Sequence, residues 1–207
     1  MIYNIDEIVK RHLLPSENHI YGFADLTRLV QNKFFGYNYG ISIGRKLDNR
    51  IVDKIVHGPT PEYYSHYRQI NEDLGLLTER ISEELNKMVA TRPGSGWIGK
   101  TDLFISKQFG PRLRLVSILL KTPVKSKSKP VNISCCGNCN ICVDSCPAKA
   151  SNGKLWNITV DREEFFDPWK CRNQCAEFGR TRLGMDARIC GICVAVYPIR
   201  QKTTSRI

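Results

Sequence analysis

The sequence predicts an α+β protein in which an N-terminal α/β region is followed by a small cysteine-rich domain. Three observations carry this. Strand-like apolar runs and helical apolar periods are mixed over residues 1–121, a polar Lys- and Pro-containing stretch lies at 122–134, and all nine cysteines come after it, in 135–207. At 207 residues and 42% hydrophobic content, the chain can bury a core in one domain or in two small ones.

The first element is a short amphipathic helix, because Ile5, Ile8, Val9, His12 and Leu13 fall at helical spacing. His12 is read as a packed histidine, not a ligand. Ile20 to Ala24 reads as a strand, Asp25 as the cap of a helix through Phe35, and Tyr37 to Gly44 as another strand. That is a βαβ-like opening.

Gly58 and Pro59 then turn the chain, Thr60 can cap, and Pro61 suits a first helical position. Tyr63, Tyr67, Ile70, Leu74, Leu77, Ile81, Leu85 and Met88 recur in steps of three and four, which predicts a long helix with one apolar stripe. Tyr63, Tyr64 and Tyr67 are read as packing at the core edge and not as a stacking platform.

The stretch from Gly94 through Gly96, Trp97 and Gly99 to Lys100 and Thr101 satisfies the Walker A spacing formally. A phosphate loop follows a strand and opens a helix. Here a helix precedes it and the strand-like Leu103 to Ser106 follows, so nucleotide hydrolysis is not expected. Close backbone approach to a flat ligand or a partner is the better use of these glycines. Arg112 to Leu120 alternates charged and apolar residues before becoming wholly apolar, as a strand entering a core does. Arg112 and Arg114 would share a face, either as an anion site or as an ordinary solvated surface. Thr122 to Pro130 reads as a linker.

The C-terminal part opens with Cys136-x2-Cys139-x2-Cys142-x3-Cys146-Pro147. This is the spacing by which bacterial-type ferredoxins hold 4Fe-4S clusters: three close thiols converge on one cluster and the fourth ligates another. A second motif, Cys190-x2-Cys193-x3-Tyr197-Pro198, carries tyrosine where a cysteine would begin the final pair. Cys146, Cys190, Cys193 and the upstream Cys171 then form one ligand set. Cys136, Cys139 and Cys142 lack their fourth thiol. Cys175 or Cys135 substitutes, the Tyr197 oxygen ligates, or the cluster lacks one iron. Cys175 is taken as the substitute and Cys135 as the spare. Structural zinc between Cys136/Cys139 and Cys190/Cys193 explains the pairs but not the longer run.

Cysteines at ligand spacing, and a start containing Asp6 and Glu7 without a signal-peptide apolar core, point to a reducing, cytoplasmic compartment. No apolar stretch approaches the roughly 20 residues that cross a bilayer, so no membrane partner is expected. The formal net charge is +11. Two thiolate-ligated clusters at about −2 each would lower it to about +7, so basicity alone points only weakly to nucleic acid.

These residues resemble the epoxyqueuosine reductase-like proteins with a double 4Fe-4S domain. The resemblance rests on Gly94 to Lys100, on Phe109 to Leu115, on the first cysteine run, on Cys171, and on Ile189 to Cys193. Trp156 to Phe166 is typical of the short branch of that family. The resemblance implies an N-terminal cobalamin-binding α/β region and a two-cluster ferredoxin-like domain that passes electrons to the corrinoid. It implies removal of an epoxide oxygen from a modified base in tRNA. Gly94, Gly96, Trp97, Gly99 and Lys100 would lie near the corrin, with no catalytic residue carried over. The partners implied are an electron donor such as ferredoxin or flavodoxin, and tRNA or another acidic substrate. The expected function is an iron-sulfur electron-transfer protein, the redox module of a reductase. Two alternatives stand beside it: a cobalamin-dependent reductase of the epoxyqueuosine reductase type, and an iron-sulfur redox sensor, the latter without any DNA-reading motif.

Overall fold

A computed structural model describes residues 5–13, 16–27, 36–85, 96–121, 123–124 and 131–198. The helix expected through Phe35, together with Met88, Gly94 and most of the linker, lies outside them. The architecture is α+β, with antiparallel sheets and separate helices. The chain forms two compact units that are not consecutive in sequence. One comprises residues 1–46, 69–95 and 113–130, and the other 47–68, 96–112 and 131–207. The passage at 130/131 falls within the expected linker, but the chain also passes between the units at 46/47, 68/69, 95/96 and 112/113.

In the first unit, helix α1 (Ile5–His12) buries Ile8 and Val9, and the Tyr21 hydroxyl donates to Asp6 at 2.8 Å. A three-stranded sheet has the order β1-β2-β5, from β1 (His19–Asp25), β2 (Tyr39–Lys46) and β5 (Leu113–Leu120). Both pairings are antiparallel, with Phe23 opposite Ile41 and Ile41 opposite Ile118. The βαβ-like opening is therefore corrected. The Leu26 amide donates to the Asn38 carbonyl at 2.7 Å, extending the β1-β2 ladder so that the chain returns alongside itself instead of crossing over. β2 is central, and Ile41 and Ile43 are fully buried.

Helix α3 (Pro61–Leu85) begins as the sequence reads, with the Tyr63 amide donating to the Thr60 hydroxyl at 3.1 Å. Tyr63, Ile70, Leu74 and Ile81 are buried along its stripe. Its later part belongs to the first unit, where Arg114 donates to Asn71 at 2.9 Å and Arg45 pairs with Asp73. Arg112 lies in the second unit, just before β5.

The second unit contains α2 (Asn49–Val52), the start of α3, β3 (Gly96–Ile98) and β4 (Phe104–Ser106). It also contains α4 (Ile141–Asp144), α5 (Pro168–Leu183) and α6 (Ile192–Ala195). β3 and β4 form an antiparallel pair joined by a turn, the strand-turn-strand context that a phosphate loop does not have. α5 was not legible as a helix from apolar periodicity, but its ends carry clear signals. Asp167 accepts from the amides of Trp169 and Lys170, Pro168 occupies the first turn, and Gly184 closes the helix at φ 65°. Leu47, Val52, Ile55, Ile105, Phe165, Ala187 and Ile192 supply this unit's core.

Candidate metal centre

The two cysteine motifs build the same local shape. Cys139-Asn-Ile-Cys142-Val and Cys190-Gly-Ile-Cys193-Val each run into a single-turn helix, α4 and α6, with Cys142 and Cys193 at the second helical position. The two helices pack against each other. Gly191 caps α6 at φ 87°, where an added Cβ would lie 2.8 Å from Tyr63 Cε1 and 2.9 Å from Ile55 Cδ1. Left-handed backbone and close packing both require glycine there. The tyrosine at the head of α3 therefore packs over the second motif.

Five thiols, those of Cys146, Cys171, Cys175, Cys190 and Cys193, line one cavity of about 270 Å³. Its remaining wall includes Leu103, Pro147, Ala148, Phe166 and Ile192. Burial pushes Cys190 up to about 11 and drives Cys193 upward, with neighbouring thiols reinforcing both shifts. Cys171 and Cys175 stand one turn apart on α5, close enough that each thiol shifts the other, lowering Cys171 and raising Cys175.

The second group consists of Cys136, Cys139 and Cys142 with Tyr197. Burial raises the Tyr197 phenol, and the surrounding thiols of Cys136, Cys142, Cys139 and Cys135 add to the shift. Tyr197 thus faces the three-thiol group, at the place its sequence position implies. The thiols that act on Cys175 are instead Cys171, Cys190 and Cys193. The sequence puts Cys175 with the three-thiol group, whereas α5 presents it beside Cys171 on the wall of the cavity, because residues four apart share a helix face. The exposed Cys135 thiol donates to the Ile133 carbonyl. Cys142 and Cys193 connect the two groups, each thiol within electrostatic reach of the other. Among the described residues, no three His, Cys, Asp or Glu side chains converge on a point that would hold a single metal ion.

A Cβ on Gly96 would lie 2.1 Å from the Ile105 carbonyl oxygen, and one on Gly99 would lie 3.0 Å from Ile105 Cγ1. The close approach is to the chain's own strand. Lys100, 4% exposed, donates to Asn140 Oδ1 at 2.7 Å, and its carbonyl accepts from the Ser151 hydroxyl. The buried Thr101 hydroxyl donates to Cys142. The Trp97 indole N–H is buried without a partner among the described residues. Gly96 and Gly99 thus pack on β4, and Lys100 seats the Lys100–Thr101 turn against the first cysteine run.

Thr101, Asn140 and Arg112 carry no motif signal that would assign these contacts from sequence. Arg112, 6% exposed, donates to Asp53 Oδ1 and to the Ala195 carbonyl, each at 2.8 Å, and so holds the end of α6.

No protein-family model matches the chain. It is 30% identical over 114 residues to the epoxyqueuosine reductase of Leadbetterella byssophila, covering 48% of this chain and 35% of that protein. The match thus spans about a third of that relative's length. Among solved structures, epoxyqueuosine reductase from Streptococcus thermophilus aligns with TM-score 0.58 at 18% identity, over 96% of this chain and 66% of that one. An epoxyqueuosine reductase crystallised with an epoxyqueuosine-modified tRNA stem loop aligns with TM-score 0.57 at 16% identity, over 97% and 66%. A reductive dehalogenase described as B12-dependent shares the fold with TM-score 0.58 at 14% identity, over 92% of this chain and 31% of that one. Sequence relatives and shared fold agree: the chain is similar to epoxyqueuosine reductases over part of their length and shares their fold.

Proposed function

We propose that this chain is the redox-active part of an epoxyqueuosine reductase-like oxidoreductase, holding two iron-sulfur clusters and delivering electrons for reduction of a tRNA-borne substrate. The observation that carries this reading is the cavity lined by five thiols beside a separate three-thiol group. Soft thiolate donors in apolar walls suit iron-sulfur clusters. When bound, such clusters supply one-electron transfer at potentials set by hydrogen bonds, charge and exposure.

The chain's own residues divide the remaining work. Phe166, Ile192 and Leu103 keep water from the five-thiol cavity. Cys142 and Cys193, on packed helices, bring the two groups within electrostatic reach of each other. Thr101 places a hydrogen-bond donor on the Cys142 sulfur, stabilising added negative charge there. Arg112 holds the end of α6 and with it the segment leading to Tyr197. The tRNA assignment rests on the relatives, and the net charge of +11 is compatible with an acidic substrate.

A second reading, an electron-transfer protein without its own corrinoid, is favoured by the packing of Gly96 and Gly99 against Ile105. Anaerobic reconstitution with iron and sulfide, then metal counting, tests the cluster reading. About seven to eight irons per chain are expected for two clusters; stoichiometric zinc without iron overturns it. Cobalamin retained through purification supports the reductase, whereas no corrinoid binding at high concentration supports the second reading.

A further inference from the structure

The cavity holds one thiol more than a four-iron cluster can use. Each iron of a cubane takes one protein thiolate, so four of Cys146, Cys171, Cys175, Cys190 and Cys193 suffice. Cys146, Cys190 and Cys193 are placed by the two motifs. The fourth corner then falls to α5, which presents two thiols one turn apart on the same wall. Neither is buried away from the cavity, and neither lies with the three-thiol group.

We propose that Cys171 and Cys175 are exchangeable ligands of a single cluster in this cavity, a deepening that rests on the iron-sulfur reading above. Exchange breaks one iron–sulfur bond and forms another. The incoming thiol gives up its proton and the leaving sulfur takes one up. No electron enters or leaves, so no external reagent is needed. The site thereby keeps its cluster when either thiol is blocked. The three-thiol group has Tyr197 in place of a cysteine, with Cys135 as the one further thiol near it.

Cys171→Ser, Cys175→Ser and the double variant, each reconstituted anaerobically beside the unaltered chain, test this through iron and sulfide content and the electron paramagnetic resonance of the reduced protein. Each single variant should keep the unaltered iron content, and the double variant should lose about half of it. Loss of that half by either single variant alone would show a fixed ligand and overturn the exchange. Full iron in the double variant would equally overturn it. Failure of the unaltered chain to take up any cluster would overturn the underlying reading as well, which separates the two. A second measurement needs no variant: limited alkylation of the holoprotein followed by mass spectrometry. It should find Cys171 and Cys175 each modified in a fraction of molecules but never both in one. Complete protection of one with complete modification of the other would contradict the proposal.

Discussion

At the scale of single residues, the most informative atoms are those aimed at the cysteine sulfurs. Thr101 lies in a turn whose glycine-lysine pattern suggests phosphate binding, yet its hydroxyl donates to Cys142. Reduction adds negative charge that this donor stabilises, so Thr101→Val should lower the potential of the cluster held by Cys142. A hydrogen bond of about 1 kcal/mol corresponds to ~40 mV for a one-electron couple. A potentiometric titration followed by paramagnetic resonance reads the shift, and an unchanged potential would refute this role. Tyr197 poses the complementary case. Replacing it by cysteine supplies the thiol that the group of Cys136, Cys139 and Cys142 lacks, so Tyr197→Cys should slow iron loss to a chelator several-fold. Acceleration or no change would show that the phenol position is not the open corner.

Elements carry the next level of constraint. α3 and β2 were legible because their apolar patterns are long and their neighbours agree with them: Pro61 and Thr60 at the helix start, isoleucines at alternate strand positions. α5 was not, because its sequence is mostly polar and its buried contacts are few. Only Asp167-Pro168 and Gly184 mark its ends. That helix decides the placement of Cys175 beside Cys171. The parallel opening failed for a related reason, since strand periodicity says which face is buried but not which way the next strand runs. α6 depends on a different signal, a glycine at positive φ beneath Tyr63 and Ile55. Gly191→Ala should destabilise the fold by about 1–3 kcal/mol from backbone strain and the displaced packing. Urea unfolding of the two proteins measures it; an unchanged midpoint would show that the α6 cap tolerates a side chain.

Over the whole molecule, the second unit gathers three separate stretches of chain, and Arg112 bonds across all three. It leaves the stretch 96–112, pairs with Asp53 in the stretch 47–68, and donates to Ala195 in the cysteine-rich stretch. Arg112→Lys keeps the charge but loses the fork that serves both partners. We expect a loss of about 2 kcal/mol from the unsatisfied partner at this buried site, with faster iron release from the reconstituted protein. Equal stability in denaturant would place the junction's strength elsewhere. By itself, the sequence determined the cysteine spacing, the position of the tyrosine that stands where a thiol would, the resemblance to epoxyqueuosine reductases, and the longer elements, because each is written in local order. Only the tertiary structure decided which thiols share a cavity, that the glycine loop packs on its own strand, and where the hydroxyl of Thr101 points. Those facts depend on helix faces and on contacts between residues far apart in the chain, which spacing along one segment does not encode.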